Sequence, residues 1–154
     1  MITVAMSTVI RADRSRVWRA LTEPAEVAAW DESVIGAVDP PLDYPQPGQH
    51  VRWRARLGEV SMILHDRPLE VVPEAKLRAK IELGLFRFDE TYTLAPAPPD
   101  EAGAPRTRLS MRLVAANSLP VVGGLLEPTA VTKLATGLVD GALRALRAWC
   151  ESHP

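Results

Sequence analysis

Cysteine is nearly missing from this chain: Cys150 stands alone, so no intramolecular disulfide can form and a reducing compartment is the default. Histidine is almost as scarce. His50, His65 and His153 share no metal-ligand spacing, and Cys150 with His153 makes an isolated pair near the C-terminus, so no metal and no other cofactor is expected. A dense run of lysine or arginine is also lacking. Eighteen basic residues against nineteen acidic ones leave a net charge of -1, without the electrostatic footprint of a nucleic-acid binder or an attraction to anionic membranes. No apolar run is long enough for stable membrane insertion, because Ala115 to Leu126, the longest charge-free segment near the C-terminal third, holds Asn117, Pro120 and a glycine pair. Met1 to Met6 enter an alternating pattern with no basic region and no long apolar region before it, which makes a cytoplasmic location the expectation. Two chemistry motifs are absent as well. There is no G-x-S-x-G elbow for covalent hydrolysis, and Gly123-Gly124 is followed by neither the lysine nor the further glycine of a phosphate-binding loop.

What is present is one domain's worth of core: 154 residues, of which 47% are hydrophobic, read as a single unit over 1–154. Residues 2–10 alternate Ile2, Val4, Met6, Thr8, Ile10 against polar or small partners, the period of a half-buried strand. Asp13 is placed as an N-cap for a short helix through Val17, Trp18 and Leu21 that ends near Thr22. Pro24 suits the first turn of a second short helix, with Glu26 at its positive end and Val27 and Trp30 on its apolar edge. Residues 36–50 carry four prolines and two glycines and read as a long, stiffened loop at the edge of any cavity.

Alternation returns at Val51, Trp53, Ala55 and Leu57 against Arg52, Arg54 and Arg56, with a turn expected at Gly58-Glu59. Val60, Met62 and Leu64 begin the next strand, whose parity is expected to change between His65 and Pro68 through a bulge. Leu77, Ala79, Ile81 and Leu83 form another strand, and after Gly84 comes a strand with Phe86, Phe88, Glu90, Tyr92 and Leu94 on one face. A second proline-rich loop separates it from Leu109, Met111 and Leu113. Pro128 opens the strongest helix, read with Val131, Leu134, Ala135, Leu138, Ala142, Leu146 and Trp149 on one side. From Thr129 to Glu151 it would span about 34 Å at ~1.5 Å per residue, enough to lie across a whole sheet. The fold class is therefore α+β: a curved antiparallel sheet, two short helices after the first strand, and a long C-terminal helix over a pocket.

The stretch Ile10-Arg-Ala12 followed by Val17-Trp18-Arg-Ala-Leu21-Thr-Glu-Pro24 and Trp30 resembles the opening of the START-like superfamily, also called SRPBCC or Bet v 1-like. Gly48-Gln-His-Val51-Arg-Trp53, Pro73-Glu-Ala-Lys-Leu77, Tyr92-Thr-Leu94, Thr107-Arg-Leu109 and the terminal helix follow in matching order. The resemblance covers nearly the whole chain and is to the polyketide cyclase/dehydrase and lipid-transport type. It implies a helix-grip fold. It also implies a range of functions, from lipid carriers and hormone receptors through polyketide aromatases and cyclases to chaperone activators.

Within that frame the pocket is expected to be lined by Trp53, Phe86, Phe88, Met111, Leu134, Gly137 and Leu138 as substrate-binding residues, with Trp53 either a flat wall for a ring-shaped ligand or a core residue beside the terminal helix. Glu90 is the most informative polar residue, since its parity puts a carboxylate on the face meeting the long helix. It is either an acid/base or ligand anchor, or a carboxylate that reaches water or an arginine at the strand's open end. Tyr92 shares its face, as a ligand donor or a core residue with its hydroxyl at the rim. His65, at the expected bend, is either re-aimed into the cavity as a base or simply solvated. Trp18, Trp30 and Trp149 read as core, and Asn117 as a strand cap or a ligand-orienting group. Gly137 and Gly141 are one helical turn apart, so either a ligand or backbone comes close, or the helix tolerates them at roughly 1 kcal/mol each.

The first functional expectation is binding of a small hydrophobic molecule, such as a lipid, polyketide or other polycyclic metabolite, by a monomer or homodimer. The alternative is a cofactor-independent polyketide cyclase or aromatase in which Glu90, Tyr92 or His65 moves protons. A second alternative is a partner-binding module like the chaperone activators.

Overall fold

A computed structural model of the chain describes the backbone of residues 1–115, 120–121, 124–125 and 128–154, with side chains over 1–115 and 129–154. The first strand, β1 (Ile2–Ile10), leads through Asp13 into α1 (Arg14–Thr22). Asp13 caps that helix by accepting a hydrogen bond from the Arg16 amide at 2.8 Å, as its position predicts. Pro24 opens α2 (Pro24–Trp30), and the Trp30 indole donates back to the Ala20 carbonyl at 2.8 Å, locking the two helices together.

Strands β2 (Val34–Val38), β3 (Val51–Leu57), β4 (Val60–Val72), β5 (Lys76–Leu83), β6 (Phe86–Ala97) and β7 (Arg106–Ala115) then run as an antiparallel meander, and β1 closes onto β7. The sheet order is β1-β7-β6-β5-β4-β3-β2. Gly58 and Gly84 take positive φ at the β3–β4 and β5–β6 turns, where a side chain would be strained. A two-stranded ribbon, β8 (Pro120–Val121) with β9 (Gly124–Leu125), precedes α3 (Pro128–Ser152). α3 packs on β1, β7 and α1. That placement covers one side of the concave sheet and leaves the inner faces of β4, β5 and β6 free to line a space.

Ile10, Val17, Leu109, Val131, Val139 and Leu146 are fully buried where α3, α1 and the sheet meet. Burial of each such side chain contributes about 1.5–3 kcal/mol, which makes this junction the centre of the core.

Three sequence expectations change. The loop read over 36–50 yields its first residues to β2, an edge strand whose register shifts between Val34 and Gly36, so its glycine falls at a bulge. On β4 the register shifts between Pro68 and Glu70, later than expected. Alternation therefore holds through Pro68, and Leu69 is the residue thrown outward. On α3 the deeply buried stripe is Val131, Ala135, Val139, Leu143, Leu146 and Cys150, rotated from the one read in the sequence. Leu134 and Leu138 flank that stripe, because an alanine- and leucine-rich helix offers two overlapping apolar faces and the sheet selects one.

Candidate functional site

Strand alternation and register place each side chain of the site. Glu90 on β6 stands opposite Ala79 of β5 on one side and Leu113 of β7 on the other. Tyr92, two residues on, stands between Leu77 and Met111. Phe88 is opposite Ile81, which in turn is opposite Asp66 of β4. These residues share the concave face because side chains two apart on a strand point the same way. Small Ala79 leaves room beside the Glu90 carboxyl.

Between this face and one flank of α3 lies a cavity of about 550 Å³. Leu64, Ile81, Leu83, Phe88, Met111 and Leu113 give its apolar sheet wall, and Gly137, Leu138, Gly141, Ala142 and Ala145 give the helix wall. Trp30 and Asp31 at the end of α2 close one side, and Glu32, Ser33 and Arg144 also border it. A smaller chamber of about 90 Å³ adjoins it, sharing Trp30, Asp31, Leu64, Ile81, Glu90 and Tyr92 and ending at Tyr44, Trp53 and Asp66.

The chamber is the polar end. Asp66 is 5% exposed, and its Oδ2 accepts from the Tyr44 hydroxyl at 2.7 Å and from the Trp53 indole at 3.1 Å. The Tyr44 ring meets Trp53 edge-on at 5.8 Å. Burial raises the Asp66 pKa, and those two donors only partly oppose it. Glu90 receives no hydrogen bond among the described residues. Burial first, and then the nearby carboxylates Asp66 and Asp31, push its pKa up to about 8. Its remaining accessible surface borders the two cavities. Burial likewise raises Tyr92, with the Glu90 charge reinforcing it, so its hydroxyl stays protonated and can donate. A carboxyl that titrates near neutrality beside a phenol can give or take a proton from a bound molecule.

The structure brings together Glu90, Tyr92, Trp53, Phe88, Met111, Gly137 and Leu138, all of which line one cavity or the other. Phe86 is half-buried and stacks on Phe88 at 6.1 Å, outside the cavity lining, and Leu134 is half-buried on α3, also outside it. His65 lies elsewhere. With β4 alternation unbroken through Pro68, His65 points to the convex face, where its Nδ1 meets His50 Nε2 at 2.8 Å. Asp66, its neighbour, takes the inward place the bend was expected to give to His65. Asn117 lies outside the described residues.

Sequence reasoning missed Asp66, Asp31 and Tyr44. Asp66 was findable by continuing the Met62–Leu64 parity one step further, whereas Tyr44 reaches the chamber from a loop and Asp31 from a helix end, where no period applies.

Among the described residues no group of three or more histidine, cysteine, aspartate or glutamate side chains is arranged to hold a metal ion, and no helix is long and apolar enough to cross a membrane.

The family model for polyketide cyclase/dehydrase and lipid transport proteins matches residues 1–151. A START superfamily protein from Mycobacterium smegmatis superposes with a TM-score of 0.77 at 15% identity, over 99% of both chains. Protein MLL2253 from Mesorhizobium loti gives 0.73 at 19% identity, again over 99% of both chains. Ara h 8.0201 gives 0.69 at 11% identity, with 99% of each chain covered. At such identities the likeness concerns the fold. No curated protein matches the sequence. With the family match running through both short helices, all seven sheet strands and α3, the chain belongs to the polyketide cyclase/dehydrase and lipid transport family and has its START-like helix-grip fold.

Proposed function

We propose that the protein binds a small, largely apolar molecule, such as a lipid, polyketide or other polycyclic metabolite, between the sheet and α3. The observation that carries this reading is the cavity of about 550 Å³, whose sheet wall is aliphatic and aromatic. Ligand sites typically occupy about 300–1,000 Å³ with mostly apolar walls and a few placed polar groups. Here those groups are Glu90 and Tyr92, with Asp66 beyond them. A chaperone-activator role would be favoured by a filled, dry core; the cavity favours a ligand instead.

Native mass spectrometry of the purified protein, followed by titration with the dye 1-anilinonaphthalene-8-sulfonate, tests the proposal. A co-purified mass, or saturable dye binding that apolar compounds displace, is the expected result. A protein that carries no mass and binds no dye would overturn it.

The second reading is an acid-base enzyme of the cyclase type, favoured by the position of Glu90 on the wall of both cavities, where burial pushes its pKa up to about 8. Glu90 would take a proton from carbon next to a substrate carbonyl while Tyr92 donates a hydrogen bond to the carbonyl oxygen, and no cofactor is required for that step. Glu90→Gln keeps the shape and removes the transferable proton. Under this reading it lowers kcat by about 100-fold or more; undiminished turnover ends it.

A further inference from the structure

We propose that the small inner chamber is a subsite for a protonated amine, so that the ligand is an apolar molecule ending in a cationic nitrogen. The inference deepens the ligand-binding reading and rests on it.

The chamber has acceptors and almost no donors. Asp31, Asp66 and Glu90 all line it, and no lysine, arginine or histidine does. The nearest basic group bordering the larger cavity, Arg144, is mostly exposed and paired with Asp140 at 3.0 Å. Among the described residues the local donors other than the Tyr92 hydroxyl are already used, the Trp30 indole by the Ala20 carbonyl. Tyr44 and Trp53 both give to Asp66 Oδ2, and the Ser33 amide and hydroxyl both give to Asp31 Oδ1, at 3.0 and 2.6 Å.

Asp66 Oδ1 is buried and has no hydrogen-bond partner among the described residues. Such an orphaned acceptor is uncommon in a folded protein and costs about 1–3 kcal/mol, more if it is charged, so it calls for a donor from outside the chain. Glu90 has no donor among the described residues either. A ligand ending in carboxylate or phosphate would meet the carboxyls of Asp31 and Asp66 and be repelled. A carbonyl could use only the Tyr92 hydroxyl and a protonated Glu90. An ammonium group brings three N–H donors for the unpartnered oxygens of Glu90 and Asp31, and for Asp66 Oδ1 once a small shift of that side chain uncovers it.

The walls agree with the floor. Trp30, Tyr44, Trp53 and Tyr92 surround the same space, and aromatic faces attract a desolvated cation. At about 90 Å³ the chamber holds a head of a few heavy atoms and no ring system, which leaves the apolar body to the larger cavity.

Decylamine, decanol and decanoate share one chain and differ only in the head, so calorimetric titration of each at pH 7, below its micellar concentration, reads the chamber directly. Decylamine is expected to bind at least about tenfold more tightly than decanol, and decanoate most weakly. Decylamine binding is also expected to release up to about one proton, because Glu90, largely protonated in the free protein, ionises beside the ammonium; repeating the titration in buffers of different ionisation heat measures it. Glu90→Gln and Asp66→Asn are each expected to bring the amine-to-alcohol affinity ratio close to one. Equal binding of amine and alcohol by the unaltered protein, or tighter binding of decanoate, overturns the subsite while leaving the apolar cavity standing. If none of the three binds, both proposals fall. Should Asp66→Asn not fold, the three-head comparison and Glu90→Gln still decide.

Discussion

Glu90 is held where a carboxylate is expensive, and the sign of its effect on stability follows directly. Its pKa rises from 4.5 to about 8 on folding, so between those values the folded state holds the proton more tightly than the unfolded one. The stabilisation is present in full below pH 4.5 and is lost as pH rises towards 8. Glu90→Gln is therefore expected to flatten that decline and to leave the protein more stable at pH 8, by on the order of 2 kcal/mol once the cavity's own water is discounted. Urea denaturation across pH 5 to 9 measures it; parallel curves for the two proteins would show that Glu90 reaches bulk solvent. The placement of Glu90 was legible in the sequence because β6 alternates without interruption from Phe86 to Leu94. Asp66 was within reach of the same parity but was passed over, since Pro68 and the polar pair before it looked like a break, while the structure tolerates the proline inside β4 next to a register shift at Leu69.

At the scale of one element, α3 is a helix with two overlapping apolar edges, and its glycines lie beyond the Leu134–Leu138 edge. A Cβ added at Gly137 or Gly141 would meet nothing within 4 Å, so among the described residues no backbone approaches closely there. Both glycines instead border the cavity. Gly141→Ala should then stabilise the helix by up to about 1 kcal/mol, through propensity alone. Gly141→Phe should fold equally well and lower dye or decanol affinity by about tenfold, since its ring enters the space the ligand needs. Thermal melts with binding titrations test both, and undiminished binding by Gly141→Phe would move the ligand away from this flank. Helical spacing alone could not choose between the Leu134–Leu138 edge and the Val139–Leu143 edge, because both are apolar and only contact with β1 and β7 ranks them.

Across the whole molecule, the cavity depends on α3 staying seated, and its C-terminal end is tied to the helices that follow β1. Arg16 donates from Nε to the His153 carbonyl and from Nη2 to Glu26, each at 2.6 Å. The Trp149 indole gives a second hydrogen bond to the same Glu26 oxygen at 2.8 Å. Burial would raise the Glu26 pKa, but these donors outweigh it and hold the carboxyl below its usual range. Further out, the Arg11 amide reaches Glu151 at 3.0 Å. Arg16→Ala leaves the largely buried Glu26 with only the half-exposed Arg19, at 3.2 Å, as counter-charge and is expected to cost about 2–3 kcal/mol, of which Glu26→Gln in the same chain recovers part. Denaturant melts of the single and double variants check this. A loss below about 1 kcal/mol would mean that apolar packing alone seats the helix.

The sequence by itself determined the element order, the hairpin turns and the parity of β3, β5, β6 and β7, because alternation, capping and turn chemistry act over a few residues and need no partner. It also carried the family resemblance, since the opening strand and helix pair is a local pattern. Tertiary structure decided which edge of α3 faces the sheet, that His65 turns outward while Asp66 turns in, and that Tyr44, Asp31 and Glu90 share one chamber. Those outcomes depend on where a register shifts, where a loop folds back and which of two similar apolar faces buries more surface. Each is a contest between distant parts of the chain, settled only when they meet.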